Sequence, residues 1–195
     1  MRTFHQSDIS AGVLLTLAGA MLLLPLRWLL AAAGAAAFHE LCHLLALQIC
    51  RGQVRGIRLG ARGAVIDALP LSPAKDLFCT LAGPLGALLL LPLARWFPRL
   101  ALCAGIQSIY NLLPVAELDG GRALDVALSL FLPSGTAEKV CGAVDVLVKV
   151  LMAALGLWGT FVLKLGLLPV LAAILLIRKG RTGKIPCKSG AMRVQ

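Results

Sequence analysis

Charge is what this sequence has least of. Asp, Glu, Lys and Arg make up 14% of its 195 residues, against about 25% in soluble proteins. A water-soluble domain of this size needs far more polar residues, because small domains leave much of their area exposed. Disorder and a charge-laced coiled coil are excluded on the same ground. Aromatic residues are only 5%, too few for a base-stacking platform, so nucleic acid is not expected as a partner despite a net charge of +10. No CxxC occurs, and the six cysteines (42, 50, 79, 103, 141 and 187) are scattered through mostly apolar runs. That pattern is not a disulfide-stapled scaffold, and the cysteines read as small apolar residues.

What the chain does have is apolar residues, 59% of the total, with a mean hydropathy of +0.89. The composition predicts a polytopic membrane protein in contact with the lipid bilayer. A first run covers 9–25, followed by Arg27 and Trp28 as interfacial anchors. Ala18-Gly19-Ala20 could pass for a cleavage site, but the run continues past it, so an uncleaved span is expected. The second run is 28–50, long enough for one crossing at about 20 residues. Segment 51–73 is not a span: Ile57, Leu59 and Ala61 alternate with Arg58, Gly60 and Arg62, which predicts a short β-hairpin at the membrane surface, with Asp67 solvated. Ser72-Pro73 reads as the N-cap and first residue of a third span, about 75–94.

A fourth span starts near Leu100 and runs into 111–119, and 120–139 reads as a polar connection with Thr136 capping the next helix. Segment 140–177 is then split into fifth and sixth spans near Lys164-Leu165-Gly166, since a lone lysine prefers an interface. The expected fold is all-α with about six transmembrane helices and one surface hairpin: a single domain over 1–180 and a mobile basic tail over 181–195. Six spans place 14 basic residues on the side holding both termini and 4 on the other, with Lys149 inside the fifth span. By the positive-inside rule both termini are cytoplasmic, and a bacterial cell membrane is the expected location.

Chemistry is concentrated inside the second span, at His39-Glu40-Leu41-Cys42-His43. Histidines at i and i+4 project from one helical face, so both imidazoles can reach one metal ion. Glu40 can reach the water beside that metal without displacing a ligand, as the general base of the His-Glu-x-x-His pattern does. Three polar groups in an apolar helix need a compensating partner, and a divalent cation supplies it. Two histidines leave a catalytic zinc site one ligand short. The acidic candidates are Asp76, Glu117, Asp119 and Asp145. Asp119 stands out, because Pro114 interrupts the helix before it and Gly120-Gly121 lets the backbone turn. The second and fourth spans both descend toward the cytoplasm, which brings residues 39–43 and 119 to similar depth. Cys42 points off the ligand face and reads as packing, His5 as an exposed terminal residue, and Lys149 as snorkelling or pairing with Asp145.

His-Glu-x-x-His in one helix and Asn111-Leu-Leu-Pro114-Val-Ala-Glu-Leu118-Asp119-Gly120-Gly121-Arg122 in another resemble the site-2 protease family of intramembrane zinc metalloproteases. The short layout resembles its stage IV sporulation protein FB branch. The resemblance covers about 30–125, and the flanking spans only by count. It implies that His39, His43 and Asp119 ligate Zn2+ and that Glu40 activates the water. It also implies that Asn111 helps hold the substrate or its developing oxyanion, and that 51–69 is a strand segment able to pair with an unwound substrate. The partners it implies are a membrane-anchored protein substrate and a membrane regulatory protein. Segment 82–87 resembles the family's small-residue motif, but Gly86 and Ala87 stand where an Asn often follows, so no polar role is assigned. The 195 residues contain neither a PDZ nor a CBS domain, so control by nucleotide through a CBS domain is not expected. A non-enzymatic divalent-metal transporter or sensor is the competing reading. Glu40 beside a three-ligand set, together with the strand-like loop, favours the protease. With all four key residues in place, a catalytically dead homologue is disfavoured.

Overall fold

A computed structural model describes residues 25–60, 63–69, 71–161 and 192–194. The chain is mostly helical and divides into two compact units, one of residues 1–112 with 189–195 and one of 113–188. Three helical stretches among the described residues are long and apolar enough to cross a membrane: Leu26–Ile49, Pro73–Arg95 and Gly135–Phe161.

In the first unit, α1 (Leu26–Ile49) is rich in Ala and Leu and has no internal proline. At 24 residues it is about 36 Å long, against about 30 Å for a bilayer's hydrocarbon core. Only a narrow stripe is buried, Ala35, His39, His43, Ala46 and Leu47, at helical spacing. Leu30, Leu41, Leu45 and Ile49 are exposed, the kind of apolar surface that marks a membrane or protein interface. The helix ends in a Schellman motif: Gly52 N–H donates to Leu47 O at 2.8 Å and Arg51 N–H to Gln48 O at 2.9 Å. That motif puts its C′ residue in the left-handed region, and here the residue is Arg51, at φ 57°. Lys75 Nζ donates to Cys50 O at 3.3 Å, placing a cation on the helix's carbonyl end.

Two strands follow, β1 (Val54–Gly60) and β2 (Gly63–Ala68), paired antiparallel with Ile57 opposite Ile66 and a register shift between Val54 and Gly56. β3 (Met192–Val194) adds to β2 in a sheet ordered β1-β2-β3. The sequence alone predicts no strand here and reads 181–195 as a mobile basic tail.

Ser72 is the N-cap of α2 (Pro73–Ala87), with Pro73 as its first residue and Asp76 in its first turn. Pro84 lies inside this helix, and from Leu88 to Arg95 the chain tightens into a 3-10 helix containing Pro92. Eight residues is long for that conformation. The helix α3 (Pro98–Asn111) is 14 residues, about 21 Å. It stops well before residue 119, where the sequence alone extended a fourth span. Pro114 is the physical reason, since it cannot donate to a helix and biases its predecessor toward extended backbone. Two clusters form the unit's core, Ala46, Leu47 and Cys79 in one and Ala35, Leu90 and Ala104 in the other.

In the second unit, α4 (Asp119–Ser129) occupies part of what the sequence reads as a polar connection. That reading is corrected: the glycines and charges that suggested a linker sit in an amphipathic helix that buries Gly120, Gly121 and Ala123. α5 (Ser134–Phe161) starts two residues before the expected cap at Thr136, because Pro133 O accepts the amides of Thr136 and Ala137 at 2.9 and 3.0 Å. Its outer face is apolar and exposed, with Leu147 at 67% and Phe161 at 76%. The first expected span, except Pro25, and the whole of the sixth lie outside the described residues.

Candidate metal centre

Both histidines of the pair are 1% exposed, on the single buried stripe of α1. One helical turn separates them, and their Nε2 atoms lie 3.1 Å apart with the rings nearly perpendicular, at 79°. His43 Nδ1 is 2.8 Å from the Cys79 carbonyl of α2. A carbonyl only accepts, so Nδ1–H donates, and that hydrogen bond assigns the tautomer that leaves a lone pair on Nε2. Metal-binding histidines are commonly oriented through their second nitrogen in this way.

The approach of α2 depends on Gly83. A Cβ there would lie 2.5 and 2.6 Å from Cε1 and Cδ2 of His43 and closer still to Nε2. One turn on, a Cβ at Gly86 would lie 2.5 Å from Cys42 Sγ. Cys42 therefore packs against α2, as its position off the ligand face predicts.

Asn111, the last residue of α3, places its amide Nδ2 3.4 Å from His39 Nε2. Glu40 follows His39 on α1 and is half-buried. His39, His43, Glu40 and Asn111 all belong to the first unit. Asp119 belongs to the second, where it is the first residue of α4 and 4% exposed. Two other acidic candidates are engaged with Lys149, at 2.7 Å from Asp145 Oδ2 and 3.5 Å from Glu117 Oε2. Asp76 stays in the first turn of α2.

Two neutral imidazole nitrogens cannot face each other at 3.1 Å with both lone pairs opposed, so the pair must share a proton or a cation. A tetrahedral ion with nitrogen ligands at about 2.0–2.1 Å holds them roughly 3.3 Å apart, close to the spacing seen. The histidine donor set therefore fits a borderline divalent cation such as zinc, and a carboxylate is the usual third ligand in such a set.

Sequence reasoning missed the two backbone features that orient His43, the Cys79 carbonyl and the bare Cα of Gly83. The small-residue segment 82–87 carried the available signal, but nothing in it says which partner side chain it makes room for.

The fold is similar to that of the solved Site-2 Protease from Methanocaldococcus jannaschii, with a TM-score of 0.63 and 19% identity over 86% of this chain and 85% of that one. No family model matches the chain. No curated protein matches it either.

Proposed function

We propose that this protein is an intramembrane zinc metalloprotease that hydrolyses peptide bonds of membrane-spanning or membrane-associated proteins. The observation that carries the reading is the converging Nε2 pair of His39 and His43, buried in an apolar helix with the His43 tautomer held by Cys79 O. The fold likeness supports it.

In this reading His39, His43 and Asp119 hold the metal, an N,N,O set that leaves one position open. Zinc bound there would polarise the scissile carbonyl and make hydroxide available near pH 7. Glu40 accepts the proton of the attacking water and delivers it to the leaving amine, so one carboxylate serves as base and then as acid. The Asn111 amide, 3.4 Å from His39 Nε2 and so beside the metal position, supplies a hydrogen bond to the developing oxyanion. His43 keeps its orientation through Cys79 O while charge develops. A helical substrate must unwind first, because its peptide carbonyls are otherwise turned into the helix ladder. β1 and β2 are the segment proposed to receive it, by strand addition at the membrane surface. Both termini cytoplasmic, a bacterial membrane and kinship with the sporulation FB branch belong to the same proposal and rest on the sequence.

The test is Glu40→Gln, which keeps volume and a hydrogen bond to water but cannot take its proton. Cleavage of a co-expressed membrane-anchored reporter should fall by at least about 10²–10⁴-fold, the usual contribution of a positioned base, with zinc content unchanged. Undiminished cleavage by the zinc-loaded variant overturns the mechanism. Zinc-dependent ion flux without cleavage by either protein establishes the transporter instead.

A further inference from the structure

Lys149 lies within the apolar helix α5 and is only 9% exposed. A charge at such a position is costly to insert and marks function by default. Its Nζ donates to Asp145 Oδ2 at 2.7 Å, an i,i+4 pair, and lies 3.5 Å from Glu117 Oε2. Asp145 Oδ1 in turn accepts the Ala116 amide at 2.9 Å. One face of α5 thus grips two consecutive loop residues, one by its backbone and one by its side chain.

The rest of that loop is held by packing and backbone. Val115 and Leu118 are buried against Val148 and Met152. Leu118 N–H donates to Val115 O at 2.8 Å, and Arg122 N–H to Leu118 O at 3.1 Å. A Cβ on Gly121 would overlap the Val115 carbonyl, so the loop lies flush on the first turn of α4. Residues 115–118 are each fixed, and the next residue is Asp119. An ordinary i,i+4 pair would need neither Glu117 nor the Ala116 amide. Those two partners turn a helix-surface pair into a clamp on the loop.

We propose that Lys149 is a positioning residue: with Asp145 and Glu117 it locks the 115–118 loop and so presents the Asp119 carboxylate to the metal in one orientation. This rests on the reading of Asp119 as a ligand. Without the ammonium, the Asp145 and Glu117 carboxylates repel across an apolar surface and the loop loosens. Ligation by Asp119 must then order the loop first.

The experiment measures zinc affinity of the full-length protein in detergent, by competition with a chromophoric chelator. The variants are Lys149→Met, Lys149→Arg, Asp119→Ala and the Lys149→Met/Asp119→Ala double. Lys149→Met should weaken zinc on the order of 10-fold, the lower end of what outer-shell partners contribute. Lys149→Arg, which keeps the charge, should recover most of it. Asp119→Ala should weaken zinc strongly, and adding Lys149→Met to it should lower affinity no further. Unchanged affinity in Lys149→Met overturns the proposal, as does an equal loss in both backgrounds, which marks general structural damage. Unchanged affinity in Asp119→Ala strikes instead at the ligand reading itself. If Lys149→Met does not fold, Glu117→Gln in the same two backgrounds carries the same expectations.

Discussion

Gly83→Ala adds one carbon and should cost the protein its metal. Built on the observed backbone, that carbon lies 2.5 and 2.6 Å from two atoms of the His43 ring, where ordinary contact is 3.4–4 Å. Relief requires the ring or α2 to move by about 1 Å, beyond the roughly 0.5 Å tolerance of a preorganised site. The ring cannot yield freely. It is tied at 2.8 Å to Cys79 O on the helix that carries the new methyl, and at 3.1 Å to His39 Nε2. Stability should fall by about 1–3 kcal/mol, the usual range for an overpacked core. Activity should fall further, since a misplacement of this size commonly costs about 10²-fold. The internal control is Gly34→Ala on α1, whose Cβ meets nothing nearer than Leu100 Cδ1 at 3.4 Å. That is ordinary van der Waals contact away from the ligands, so Gly34→Ala should keep its metal and its activity. Zinc content and reporter cleavage, measured with thermal midpoints for both variants, separate the two effects. Full zinc occupancy and undiminished cleavage in Gly83→Ala would refute the claim that His43 is fixed in the position where it functions.

Two further outcomes are expected. Arg51→Gly should raise stability by about 0.5–1 kcal/mol, because it frees a non-glycine residue from φ 57° at the end of α1 at a small entropic cost in the unfolded chain; a lowered thermal midpoint in detergent would show that the Arg51 side chain makes good the strain. A reporter fused after Gln195 should be active only as a cytoplasmic reporter, given the 14-to-4 split of basic residues, and activity as a periplasmic one would invert the proposed topology.

The histidine pair was legible because it needs only helical geometry: spacing of four puts both rings on one face whatever surrounds the helix. Ser72-Pro73 was legible for a similar reason, since cap and first-turn preferences are local. α4 was hidden because Gly120, Gly121 and Arg122 read as a linker, while the burial of Gly121 depends on Val115 folding back over it. Lys149 and Asp145 announce each other at i,i+4, but Glu117 joins them across 32 residues of sequence, and no local pattern encodes that. Nothing in the leucine run from 88 to 91 separates an α-helix from a 3-10 helix. Four like residues in a row have no period.

That 3-10 stretch changes how the span built on α2 fits its solvent. A rise of about 2.0 Å per residue gives its eight residues about 16 Å where an α-helix would give about 12 Å, so the span gains about 4 Å of hydrophobic length. With three residues per turn its side chains fall into straight columns. Leu90 and Leu93 stack toward the core with Ala35 and Ala104, while Leu88, Leu91 and Ala94 line a groove beside α3. The extra length lies wholly on the far side of Ala87 from Cys79 and Gly83, which remain in regular α-helix. Any mismatch with the bilayer's thickness therefore falls at that end of the span, while the turn that seats His43 keeps its α pitch.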